Sequence, residues 1–147
     1  MDWRYRASVV LGVVGLVDAL YLTWLKVSGN ESLCLGFGQC DVVNASPYAE
    51  IYGIPIALLG ALAYAAILAL LVGEARWRGS PRMLWARYGV FAITLAGTLY
   101  SAYLTYIEVA VLEAICPFCV ISAVVMLGLW VLALLRLLQE DISTIPA

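Results

Sequence analysis

The chain has 147 residues, of which 65% are hydrophobic and 12% charged, and its mean hydropathy is +0.98. Soluble domains run at about 45–50% apolar and about 25% charged, so an ordinary water-soluble core is excluded. A formal net charge of -2, with the basic residues scattered, excludes a nucleic-acid footprint.

Crossing the hydrocarbon layer as a helix takes about 20 predominantly apolar residues. Four segments qualify, which predicts an all-α, polytopic membrane protein built as a four-helix bundle over a single domain, residues 1–147. The first span is expected at about 7–27 (ASVVLGVVGLVDALYLTWLKV). It is too long for a signal h-region, carries Asp18 and is followed by no small-residue cleavage site, so it reads as a retained helix. The segment at about 28–51 (SGNESLCLGFGQCDVVNASPYAEI) is the only long polar stretch. It should begin as loop, and Ser46-Pro47 resembles an N-cap followed by proline at the first helical position. A short helix lying over the bundle is expected there. The second span is expected at about 52–72, with Pro55 in its first turn, the third at about 88–109 and the fourth at about 116–138.

The basic residues set an orientation. Arg4, Arg6, Arg76, Arg78, Arg82, Arg87 and Arg136 gather at one face, and Lys26 alone belongs to the other. The positive-inside rule then places both termini in the cytoplasm of a multi-pass cell-membrane protein. All 4 cysteines fall on the outward side, where disulfides form and persist. With no histidine, Cys-His catalysis, His metal ligation and His proton relays are excluded.

Cys116-Pro117-Phe118-Cys119 opens the fourth span. Cysteines three apart at a helix start share a face and lie within disulfide reach. The free N–H groups and positive dipole end favour a thiolate, the attacking species in disulfide exchange. Cys34 and Cys40 form a second pair in CLGFGQC, where Gly36 and Gly38 permit the turn of a short disulfide loop. Together the pairs read as a relay: a reduced external protein attacks the loop disulfide, the loop dithiol reduces Cys116–Cys119, and that pair delivers two electrons into the bilayer. With no flavin or haem motif visible, a membrane quinone is the expected acceptor. The structural reading of either pair is a stabilising disulfide.

The order Cys-x5-Cys-Asp-Val-Val, Ser46, Tyr52-Gly53-Ile54-Pro55 and CPFC at the fourth span resembles the vitamin K epoxide reductase family, closest to its bacterial and archaeal members. The resemblance covers about residues 9–135, including LAGTLYSAYLTYIEVAVLEAICPFC. It implies a helical bundle enclosing a quinone of ubiquinone or menaquinone type, capped by the outer loop and short helix. It implies that Cys119 is the thiol beside the quinone and that Cys116 exchanges with Cys40. By the same resemblance Cys34 meets a thioredoxin-like redox protein, and Ser46 lies near the quinone. Phe118 and Tyr52 are expected on the pocket wall from proximity. The implied function is a thiol–quinone oxidoreductase driving disulfide formation in exported proteins. The animal enzymes carry an asparagine and a tyrosine where Ala49 and Ala123 stand here. The hydrogen bonds of those side chains are missing, which argues against vitamin K epoxide as substrate and against coumarin-type inhibition. Bacterial relatives often carry a fused thioredoxin-like domain; this chain ends at Ala147 without one, so a separate redox partner is expected.

Three rivals stand beside this reading. A four-cysteine zinc protein is opposed by the wide Cys34–Cys40 spacing and the oxidising face. The bacterial disulfide-forming quinone oxidase places its CxxC in the first outer loop, whereas here it comes last. A membrane protein merely stapled by two disulfides is the third. Of the remaining residues, Asp18 is an intramembrane carboxyl, a functional hypothesis by default, although a neutral structural carboxyl is the commoner case. Glu108 and Glu113 are near enough to accept protons, but outer-rim solvation is their expected role. Gly12, Gly15, Gly60, Gly97 and Gly128 are expected to permit close helix approach.

Overall fold

In hydrocarbon a backbone must satisfy its own hydrogen bonds, and the apolar runs meet that requirement as helices. The computed structural model describes residues 2–29 and 40–145. Helix α1 (Trp3–Ser28) is followed by a short helix α2 (Cys40–Ala45) and a 3-10 turn (Pro47–Ala49). A small hairpin of β1 (Glu50–Ile51) and β2 (Ile54–Pro55) leads into α3 (Ile56–Arg76), α4 (Pro81–Ala110) and α5 (Pro117–Thr144). Helices α1, α3, α4 and α5 are each long and apolar enough to cross a membrane. They close into a polytopic four-helix bundle in which α1 packs on α3 and α5, and α4 packs on the same two.

The helix starts differ from the sequence reading for local reasons. The second spanning helix begins at Ile56 rather than near residue 52, because Tyr52 (φ 52) and Gly53 (φ 79) form the tip of the hairpin. The pairing Ile51↔Ile54 leaves a two-residue loop, and two central residues at positive φ are what a tight hairpin turn demands. Pro55 therefore precedes the helix instead of sitting in its first turn. The third spanning helix starts at Pro81, ahead of the expected 88. There the Ser80 hydroxyl accepts from the Arg82 N–H at 3.5 Å, with proline at the first helical position. Its arginine-bearing first turns project beyond the apolar run that hydropathy detects. The short helix expected at Ser46-Pro47 is a single 3-10 turn, and the longer α2 comes before it.

The core runs along the bundle axis through Tyr64, Ile67, Leu71, Val90 and Leu129. Helix α1 approaches α3 so closely at Gly15 that an added Cβ would stand 2.2 Å from the Tyr64 ring. The Tyr64 hydroxyl donates to the Ser122 carbonyl at 3.0 Å, tying α3 to α5. Gly60, by contrast, does not serve helix approach: a Cβ there would meet only Ala19, at 3.9 Å, and the residue borders a cavity.

One end of the bundle is fastened by charge. Glu74 Oε1 accepts from Arg87 Nε at 2.9 Å and from Arg136 Nη2, and Arg87 also pairs with Glu140. The Glu74 and Arg136 side chains are only 6% and 9% exposed, so the network joins α3, α4 and α5 around a buried pair. At the other end Lys26 Nζ meets Glu50 Oε1 at 3.1 Å with the carboxylate 44% exposed.

Removing one partner of a buried pair leaves a charge without its counter-ion and costs about 3–5 kcal/mol, whereas an exposed pair is worth at most about 1 kcal/mol. Glu74→Ala should therefore lower unfolding stability in mixed detergent micelles by about 3–5 kcal/mol, and Lys26→Ala by less than about 1 kcal/mol. Equal losses in a denaturant titration would contradict the assignment of the Glu74 network as the buried fastening.

Candidate functional site

Helix α4 ends at Ala110, and the chain reverses through Val111–Ile115 to reach α5. The reversal is closed by Leu112 N–H donating to the Ile107 carbonyl at 2.9 Å and Ala114 N–H to the Glu108 carbonyl at 3.0 Å, with Glu113 at φ 49. Cys116 is the N-cap of α5, with extended backbone, and Pro117 takes the first helical position. That sequence places Cys119 in the first turn, facing the same way as Cys116. Cys116 is completely buried among Leu22 and Leu25 of α1. Val43 of α2 packs against the same cluster, so the short helix lies directly over the dithiol end.

Cys119 borders a cavity of about 470 Å³ lined by residues of all four spanning helices. Its wall is mainly apolar, from residues such as Leu22, Ile93 and Met126, with a few polar groups, among them Ser46, Tyr64, Glu108 and Ser122. The volume lies within the range of about 300–1,000 Å³ common for small-molecule sites, and apolar walls with a few convergent polar groups are their usual composition. Val43, Ser46, Tyr48 and Ile51 close the cavity from the α2 and hairpin side. Ser46 is buried, and its hydroxyl donates to the Val43 carbonyl at 2.6 Å.

The Cys116 thiol is held below the ordinary thiol range. The Cys119 side chain hydrogen-bonds to its sulfur, and this outweighs the burial that opposes ionisation. The Cys119 and Phe118 main chains add to the effect in the same direction. A thiol so placed is prepared to act as the exchanging partner.

The structure brings Cys116, Cys119 and Ser46 to one end of the bundle, with Cys119 and Ser46 on the cavity wall. It sets Tyr52 at the hairpin tip, fully exposed and off that wall. Phe118 likewise does not line the cavity; it packs on the Tyr21 ring at 5.2 Å between centroids. Cys34 lies outside the described residues, and of Cys40 only the backbone, opening α2 one turn ahead of Val43, is described. Glu108 corrects the sequence reading: it is 3% exposed rather than solvated, and its Oε2 accepts from the Cys116 N–H at 3.3 Å. The signal for it was an acidic residue at the end of an apolar run, eight residues before Cys116. Asp18 is buried on α1 away from the cavity wall, and its Oδ2 has no hydrogen-bond partner among the described residues.

Comparison with known proteins bears on this geometry. The family model described as Vitamin K epoxide reductase family matches residues 6–134. The thiol-disulfide oxidoreductase LTO1 of Arabidopsis thaliana is 32% identical over 134 residues. That match covers 88% of this chain and 36% of the plant protein, so the chain spans about a third of the relative's length.

Two outcomes follow from the site as built. Removing the Cys119 sulfur removes the hydrogen bond that lowers Cys116, so Cys119→Ala should raise the midpoint of Cys116 thiolate absorbance, while Cys119→Ser, which keeps a donor, should raise it less. An unchanged midpoint in Cys119→Ala would refute that cause. Gly60→Phe should fill the cavity and slow alkylation of Cys119 by an apolar maleimide without unfolding the bundle. Unaltered Cys119 reactivity in a folded Gly60→Phe protein would show that the cavity is not the route to that thiol.

Proposed function

The chain belongs to the vitamin K epoxide reductase family, and from that premise we propose that it is a membrane thiol–quinone oxidoreductase. Its task is to reoxidise a thioredoxin-like donor and so drive disulfide formation in exported proteins. The observation that carries the reading is the position of Cys119: a thiol on the wall of an apolar cavity within the bundle, with Cys116 buried behind it. A water-soluble oxidant has little reason to occupy such a space, whereas an apolar ring suits it. The residues therefore fit a quinone of ubiquinone or menaquinone type. When bound, a quinone supplies a two-electron acceptor.

The four cysteines divide the work. Cys34 and Cys40, as a disulfide, accept electrons from the donor's dithiol on the outer face. Cys40 then attacks Cys116 Sγ, releasing Cys119, and Cys34 resolves the Cys40–Cys116 bond to leave Cys116 and Cys119 reduced. The packing of Val43 against the Cys116 cluster supports this order, because Cys40 opens the same short helix. Cys119 is the electron donor to the quinone, and the dithiol closes again as a disulfide. Ser46 and Ser122 offer hydroxyls on the cavity wall that orient the ring. Tyr52 and Phe118 stand off that wall, the first at the hairpin tip and the second packed on Tyr21 of α1. The arginine-rich end of the bundle faces the cytoplasm and the dithiol end faces outward, where the donor is met.

Purified protein in detergent, assayed for quinone reduction with a reduced thioredoxin-like donor, tests the scheme. Cys116→Ala and Cys119→Ala should reduce turnover to background, and Cys119→Ala should accumulate a Cys40–Cys116 disulfide. Cys34→Ala should lose turnover with the protein donor yet retain it with a small dithiol. Full turnover in Cys119→Ala, or equal loss with both donors in Cys34→Ala, would contradict the relay.

A further inference from the structure

Glu108 sits in the last turn of α4, where a carboxylate has no favourable dipole to meet and where burial is costly. Ionisable residues within spanning helices mark function when they face a cavity, and Glu108 does so. It stands next to both members of the dithiol. Oε2 accepts from the Cys116 N–H at 3.3 Å, and the residue shares the cavity wall with Cys119. Both Glu108 and Cys119 line the same 470 Å³ space. A carboxylate needed only to hold the α4–α5 reversal would require the contact with the Cys116 main chain and no more. A desolvated carboxylate beside a thiol on the wall of an apolar cavity has the position of a general base that becomes a general acid.

Resting on the thiol–quinone reading above, we propose that Glu108 is the proton carrier of the Cys116–Cys119 dithiol, taking the proton of Cys119 Sγ and returning it to an oxygen of the quinone. Cys119 Sγ loses its proton to the Glu108 carboxylate as it gives up its electron pair. Glu108, now a carboxylic acid, donates that proton to the nearer quinone oxygen. Cys116 Sγ bonds to Cys119 Sγ and releases its own proton to water, and the second quinone oxygen takes a proton from water in exchange. Two S–H bonds break, one S–S bond forms, two electrons and two protons end on the quinol, and Glu108 returns to carboxylate.

Among the described residues, the other titratable groups bordering the space are Lys26 of α1, Tyr48 of the 3-10 turn, Tyr64 of α3 and Tyr100 of α4 itself. Glu113, in the reversal, is exposed, and Asp18 lies off the cavity wall. Among the described residues, Glu108 is therefore the carboxyl that reaches both the dithiol and the cavity.

The test compares wild type, E108Q and E108D with a short-chain ubiquinone and a short-chain menaquinone, a small dithiol as donor, across acid to alkaline pH. Exchange of the oxidised Cys116–Cys119 pair with the same dithiol is followed separately in quinone-free protein. E108Q should lower kcat by about 10²–10⁴-fold, with KM for quinone little changed. It should lose the acid limb of the wild-type pH profile, keep quinone-free exchange, and be partly rescued by E108D. A wild-type kcat in E108Q would overturn the proposal. So would loss of exchange together with reduction, since that is what a carboxylate merely holding the turn would produce. A wild type that exchanges thiols but reduces neither quinone would overturn the thiol–quinone reading itself, and the proton carrier with it.

Discussion

A helix in hydrocarbon satisfies its own backbone everywhere except in its first and last turns, and those turns must find partners. The dithiol end of this bundle is built where that requirement is hardest to meet. Helix α5 begins at a buried Cys116, so the N–H there needs an acceptor inside the protein; Glu108 Oε2 provides it. Pro117 removes one further N–H that would otherwise lack a partner. The first turn of α5 is thereby fixed against the last turn of α4, and Cys119 is aimed at the cavity as a consequence.

The two ends of the bundle hold together by different means. At the arginine-rich end, Glu74 collects Arg87 and Arg136 out of water, and Arg4 Nη1 donates to Gln139 Oε1 at 2.9 Å to bring α1 onto α5. At the dithiol end the spanning helices separate enough to leave about 470 Å³ between them. That space is roofed by short elements: one six-residue helix, one 3-10 turn and a hairpin of two-residue strands. Short elements carry few internal hydrogen bonds, and sites that must open draw on such weakly fastened segments. The bundle thus has an ion-paired base and a lightly built cap.

Burial distinguishes the two thiols. Cys116 is enclosed among Leu22 and Leu25, and the neighbouring Cys119 side chain favours its thiolate. Cys119 is the one that borders the cavity. A pair at one helical turn's separation thus differs in surroundings: one thiol is packed in an apolar cluster, the other borders the cavity.

The sequence by itself determined the membrane class, the number of spanning helices, the position of the CxxC at a helix start and the family. Each rests on information local in the chain: apolar run length, the Cys116-Pro117 capping pattern, and the order of the motifs. Hydropathy did not find the starts of α3 and α4, because a positive-φ hairpin tip at Tyr52-Gly53 and a Ser80-Pro81 cap outside the apolar run decided them. Nor did it show that Glu74 is a buried counter-ion, that Gly60 borders open space, or that Tyr52 points away from the cavity while Glu108 is enclosed. Those depend on which helix faces sit opposite one another. Side-chain burial in a bundle is a property of the packed set, and only the tertiary structure, by bringing α3, α4 and α5 together, turned an acidic residue at a helix end into a neighbour of both thiols.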